Sequence, residues 1–164
     1  MKKPGALRTL AVIAALISLT GIILNIIMVM SPHIAAVILG YGNVKEMMEA
    51  KLDSVTTALM TVQALIPLVL TLLCAVNIFP ENTSRSRSLF TLTAAPAAFI
   101  AQSLAASFIY TRALKESLSG GMNTVQLLSA ITTVRSVLSY MQVFALVMIM
   151  CAASVEYYIS RTDR

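Results

Sequence analysis

Four runs of about 20 apolar residues, each long enough to cross the ~30 Å hydrocarbon core of a bilayer, take up most of this 164-residue chain. They extend roughly from Leu10 to Met30, Thr56 to Phe79, Leu89 to Tyr110 and Val137 to Tyr158. No separate soluble domain fits in what remains. Only 12% of the residues are charged, about half the share of a soluble domain, and the mean hydropathy is +0.85. The expected fold is an all-α integral membrane protein, a single four-helix transmembrane bundle covering residues 1–164. Its helices are predicted at about 7–30, 44–79, 87–118 and 124–160, with helices two to four extended on the outer side.

The first run follows Met1-Lys2-Lys3, a start that a secretory signal peptide also has. Its apolar core exceeds the ~7–15 residues of a cleaved segment, and no clear small-x-small site follows Met30. It reads as a retained helix.

Basic residues set the orientation. Seven of the twelve fall on one side: Lys2, Lys3, Arg8, Arg85, Arg87, Arg161 and Arg164. With Glu81, Glu156 and Asp163 this side carries +4, against +1 on the other. The bias predicts both termini in the cytoplasm of a multi-pass protein of the plasma or bacterial inner membrane.

Outside the membrane, Asn43 and Glu46 have the spacing of a helix cap, and Val44, Met47, Met48 and Val55 recur at helical spacing into helix two. Asn123 is a similar cap for helix four, and Gly120 and Gly121 suit the end of helix three. The short link from Pro80 to Ser86 predicts helices two and three as antiparallel neighbours. Gly40-Tyr41-Gly42, between helices one and two, resembles the Gly-Tyr-Gly filter of potassium channels. The Thr-Val that precedes it in that family is Ile38-Leu39 here, and a Gly-rich turn ahead of Asn43 is the plainer reading. A weak repeat at an offset of 79 aligns Gln63 with Gln142 and Asn77 with Glu156.

Each apolar run holds a carboxamide at a similar depth, Asn25, Gln63, Gln102 and Gln142, and Asn77 is a second one near the inner end of helix two. The first four fall roughly 21–24 Å from the cytoplasmic ends of their helices at 1.5 Å per residue. An amide needs a partner in hydrocarbon, so four at one depth point to helices that face one another there. Polar groups continue outward as Ser139, Arg135 and Thr132 on helix four, and as Thr56 and Asp53 on helix two. Interhelical hydrogen bonding is the plainer reading, at about 0.6 kcal/mol per contact. The alternative is an outward-facing polar cleft with Arg135 as its charge. Glu156, the acid nearest hydrocarbon, is expected to reach interfacial water, with pairing to Arg85 or Arg87 as the alternative.

No nucleophile-and-base pair, metal-ligand spacing or phosphate-binding glycine loop is present, so no catalytic residue, metal or cofactor is expected. Cys74 and Cys151 lie in apolar runs and are expected to be inert packing residues. The positive charge beside the membrane ends calls for no nucleic acid. The expected partners are the lipid bilayer and another membrane protein or a second copy of the chain. The expectation is a non-enzymatic subunit or accessory protein. A small transporter or oligomeric channel, and a membrane sensor of an external ligand, are the alternatives.

Overall fold

A computed structural model describes residues 2–40, 54–119 and 122–162. Six helices account for nearly all of them: α1 (Gly5–Met30), α2 (His33–Ile38), α3 (Ser54–Leu65), α4 (Leu68–Ile78), α5 (Arg85–Ser119) and α6 (Met122–Thr162). Four spans are long and apolar enough to cross a membrane, with α3 and α4 together making the second. Large apolar side chains are exposed along all four, Ile23, Leu72, Leu104 and Phe144 among them. A surface of this kind suits lipid and not water. The protein is a multi-pass helical membrane protein, an all-α four-helix bundle.

The spans follow one another around the bundle. α1 lies between α4 and α6, and α5 lies beside α6. The side between α3–α4 and α5 is the most loosely joined of the four. The chain termini and the 79–84 link share one end, called basal here; the opposite end is distal. The 41 residues of α6 measure roughly 60 Å, about twice the hydrocarbon thickness, so its first turns stand beyond the distal boundary.

α1 is a full member of the bundle. Its buried positions Leu7, Ala11, Ala14, Ser18, Gly21, Asn25 and Met28 alternate in steps of four and three. That is the 3.5-residue period of a seam that follows a neighbouring helix. Most of these side chains are small, which lets α6 approach closely. A Cβ on Gly21 would stand 2.7 Å from Gln142 Nε2, closer than real atoms come. Gln142 is fully buried and grips α1 with both ends of its amide. Ser18 Oγ donates to Gln142 Oε1 at 2.9 Å, and Gln142 Nε2 donates to the Ser18 carbonyl at 3.0 Å. Thr71 Oγ1 of α4 donates to Ser18 Oγ at 2.8 Å, which joins a third span to this contact.

Two apolar layers bracket the middle of the bundle. The basal layer contains Ala11 and Ala14 of α1, Leu70, Leu73 and Cys74 of α4, Ala95 of α5, and Ala145 and Ile149 of α6. The distal layer contains Val29 of α1, Met60 of α3, Ile109 and Ala113 of α5, and Leu128 of α6. Each draws on all four spans. A third cluster, with Met28, Ala35 and Leu127, seats α2 on the distal part of α6.

Several details depart from the sequence reading. Helix two is broken, because Pro67 has no N–H to continue the ladder and Ile66–Pro67 forms a turn between α3 and α4. Pro96 leaves α5 continuous. The turn at Leu39–Gly40 closes α2, and Gly40 takes φ +69, which a side chain would strain. The Tyr41-Gly42 part of the filter-like motif and the Asn43 cap lie outside the described residues. α6 begins at Met122, so Asn123 stands in its first turn and not at its cap. Cys74 is buried as expected of a core thiol, but Cys151 is exposed on the flank of α6.

Replacing Gly21 by leucine is expected to cost about 1–3 kcal/mol by overfilling the α1–α6 seam. Gln142→Leu, which removes hydrogen bonds and keeps the volume, is expected to cost less, about 0.6 kcal/mol for a polar contact inside a membrane. Denaturing-detergent titration of the purified protein measures both. A Gly21→Leu protein that unfolds at the wild-type midpoint would show that α1 and α6 do not meet at this glycine.

Candidate functional site

Between the two apolar layers the bundle encloses a cleft of about 490 Å³. Its walls come from all four spans. α3 presents Gln63, Ala64 and the break at Pro67; α5 presents Phe99, Gln102, Ser103, Ala106 and Ser107; α6 presents Thr132, Arg135, Ser136 and Ser139; α1 contributes Asn25. The Pro67 turn forms part of the wall, so the backbone is irregular where it borders a cavity, as membrane helices allow.

Arg135 is the charge of this cleft. Its guanidinium donates to Gln63 Oε1 across the cavity. Among the described residues no carboxylate forms an ion pair with it; the three ion pairs are Lys3–Glu156, Arg87–Glu156 and Arg112–Glu116. Along α6, Arg135 stands roughly 30 Å from Glu156, one hydrocarbon thickness away. The cleft therefore sits at the distal edge of the apolar belt.

The other carboxamides take different parts. Asn25 lines the cleft, but its Nδ2 donates to the carbonyl of Gly21 on its own helix at 2.9 Å. Gln102 lines the cleft and makes no hydrogen bond among the described residues. Gln142 is turned toward Ser18 of α1 and does not line the cleft. The four share a depth, but not one site. Thr56 stands distal to the cleft and donates to Glu116 Oε2 of α5, while Arg112 Nε donates to Glu116 Oε1 at 2.9 Å. Asp53 lies outside the described residues.

The cleft opens on the flank of the bundle. The distal layer closes it above, reinforced by the Thr56–Glu116 link, and the basal layer closes it below. Its exposed lining residues are Ser103, Ser107 and Tyr110 on α5 with Thr133 and Ser136 on α6. The apolar layer built around Met60 and Ile109 stands toward the outer face, the direction in which the cleft of the alternative sequence reading opens.

A second polar cluster lies at the basal end, and Glu156 is its centre. The sequence reading sent this acid to interfacial water. Instead it is 0% exposed and paired with two cations. Lys3 Nζ stands 2.6 Å from Glu156 Oε2, and Arg87 pairs with Oε1, which also accepts the Ser84 backbone N–H at 3.1 Å. Lys3 Nζ further donates to the Asn77 carbonyl at 2.6 Å, and the Asn77 amide donates to Thr91 Oγ1 at 2.8 Å. The backbone closes the same corner, where Lys3 N–H donates to the Glu81 carbonyl at 2.7 Å and Lys2 bridges to Asn82. Burial pulls the Lys3 ammonium below its ordinary pKa, while the hydrogen bond to Glu156 opposes that shift. The sequence did hold a signal for this cluster. Glu156 is one acid among many basal cations, and an ion at the edge of hydrocarbon needs a partner at its own depth.

Among the described residues no group of His, Cys, Asp or Glu is arranged to hold a metal ion. The chain matches no known family model, and neither curated proteins nor solved structures give a match.

Glu156→Gln would leave Lys3 and Arg87 buried without their counter-charge. It is expected to destabilise the protein by about 3–5 kcal/mol, the cost of breaking a buried pair from one side. Lys3→Met leaves Glu156 with Arg87 and is expected to cost less. Thermal unfolding in a neutral detergent checks the order, and a Glu156→Gln protein as stable as wild type would mean that the cluster is not formed.

Proposed function

We propose that this protein is a non-catalytic membrane protein that binds an anionic group in the cleft, with Arg135 as the recognising charge. The observation behind this reading is the guanidinium of Arg135. It is half-buried at the edge of hydrocarbon, faces a cavity and has no carboxylate partner among the described residues. A desolvated charge of this kind is costly unless an anion joins it. Guanidinium forks match carboxylate and phosphate oxygens, and Gln63, Gln102 and the nearby hydroxyls supply neutral hydrogen-bonding groups around it. The excess of cations at the basal end supports cytoplasmic termini in a plasma or bacterial inner membrane. In that orientation the cleft lies in the outer half of the bilayer, where a sensor or a carrier would meet its ligand.

Association with other membrane helices is the second reading. α5 supports it, since 11% of an 18-residue apolar stretch of this span is buried against 33–39% for the others. Leu104 and Phe108 on its outward side are 67% and 70% exposed and form an apolar strip for a neighbouring helix.

Thermal unfolding in neutral detergent with a panel of soluble and amphiphilic phosphates and carboxylates tests the first reading. At one hundred times its dissociation constant, a bound anion is expected to stabilise the wild type by about 2.7 kcal/mol. Arg135→Gln is expected to lose that response. A panel without effect beyond that of chloride at equal ionic strength, or an equal response in Arg135→Gln, rules the reading out.

A further inference from the structure

The geometry points to an anionic phospholipid of the distal leaflet as the ligand, entering the cleft sideways from the bilayer with its phosphate on Arg135. This rests on the anion-binding reading and adds where the anion comes from.

Three observations carry it. The first is access. Apolar layers built from all four spans lie above and below the cleft, while its exposed lining residues, Ser103, Ser107 and Tyr110 of α5 with Thr133 and Ser136 of α6, stand on the flank. A solute arriving from water at the distal end meets Val29, Met60, Ile109 and Leu128 first. A lipid needs only to move laterally. The second is depth. Arg135 lies roughly one hydrocarbon thickness from the basal Glu156, where the phosphates of the distal leaflet begin. The third is the order of the walls. On their basal side stand Pro67 and Phe99; the amides, the hydroxyls and Arg135 come higher. An acyl chain running toward the membrane centre and a charged head at Arg135 match this order. Basic pockets between membrane helices hold lipid head groups by the same chemistry.

Ser103 and Ser107 fit the mouth of such a cleft. Each hydroxyl donates to the carbonyl four residues earlier on α5, at 3.0 and 3.1 Å, so neither leaves an unpaired donor facing hydrocarbon. Their small size keeps the flank open.

The test uses the full chain in nanodiscs of phosphatidylcholine doped with phosphatidylglycerol of the same chain length. Native mass spectrometry after release into neutral detergent counts the retained lipid. Glycerophosphoglycerol, the same head group without chains, is titrated in parallel. The expected result is selective retention of phosphatidylglycerol, weakened roughly tenfold or more by Arg135→Gln, the worth of one charge-assisted hydrogen bond. Ser107→Trp, which fills the mouth and leaves Arg135 in place, should also weaken retention, and it decides the matter if Arg135→Gln fails to fold. If the soluble head group binds as tightly as the lipid and Ser107→Trp changes nothing, the lipid inference falls and the anion reading stands. If neither probe binds in a way that depends on Arg135, both fall.

Discussion

Hydrocarbon supplies no hydrogen-bond partner, so polar groups inside the span must find one another. The seam between α1 and α6 is where this requirement shapes the bundle most. Gly21 leaves room for the Gln142 amide, and Ser18 receives both of its ends. The small residues above and below keep the two backbones near enough for that contact. Thr71 then ties α4 to the same point. With these spans held together, α5 is left to pack mainly on α6, and the loose side between α3–α4 and α5 follows.

The cleft and the basal ion cluster are opposite answers to the cost of burying charge. At the basal end one carboxylate is surrounded by two cations, a backbone N–H and the Asn77–Thr91 pair, so the charges compensate within the protein. At the distal end a single guanidinium meets a neutral amide and an open volume. The first arrangement fixes a structure. The second leaves an interaction incomplete, and incomplete interactions are where membrane proteins meet ligands.

The sequence revealed depth well and angle poorly. Four apolar runs made the helical membrane class plain, and the shared level of Asn25, Gln63, Gln102 and Gln142 was readable by counting residues. Which way each amide turns was not, because lipid-facing and core-facing surfaces are both apolar and the hydrophobic pattern of a membrane helix does not mark its inner side. Gln142 and Gln63 occupy matching positions in the weak repeat, yet one grips α1 and the other meets Arg135. Proline carried an ambiguous signal as well: Pro67 ends a helix and Pro96 does not. The pairing of Glu156 with Arg87, given as the alternative, does form, but Lys3 was missed because it precedes the first helix, a distance that no local spacing spans.

That distance sets an order of events in biogenesis. Lys3 precedes α1 and Glu156 stands near the end of α6, so the cation is made before all four spans and the acid after nearly all of the fourth. The ammonium therefore waits at the membrane edge while three spans enter the bilayer and a fourth is being made. Only when that helix is nearly complete does the acid arrive, and with it the contact that joins the start of α1 to the end of α6. The basal cluster thus closes the four-span bundle last: a chain arrested before Glu156 keeps its cations in water, and its first helix has no anchor at the basal corner.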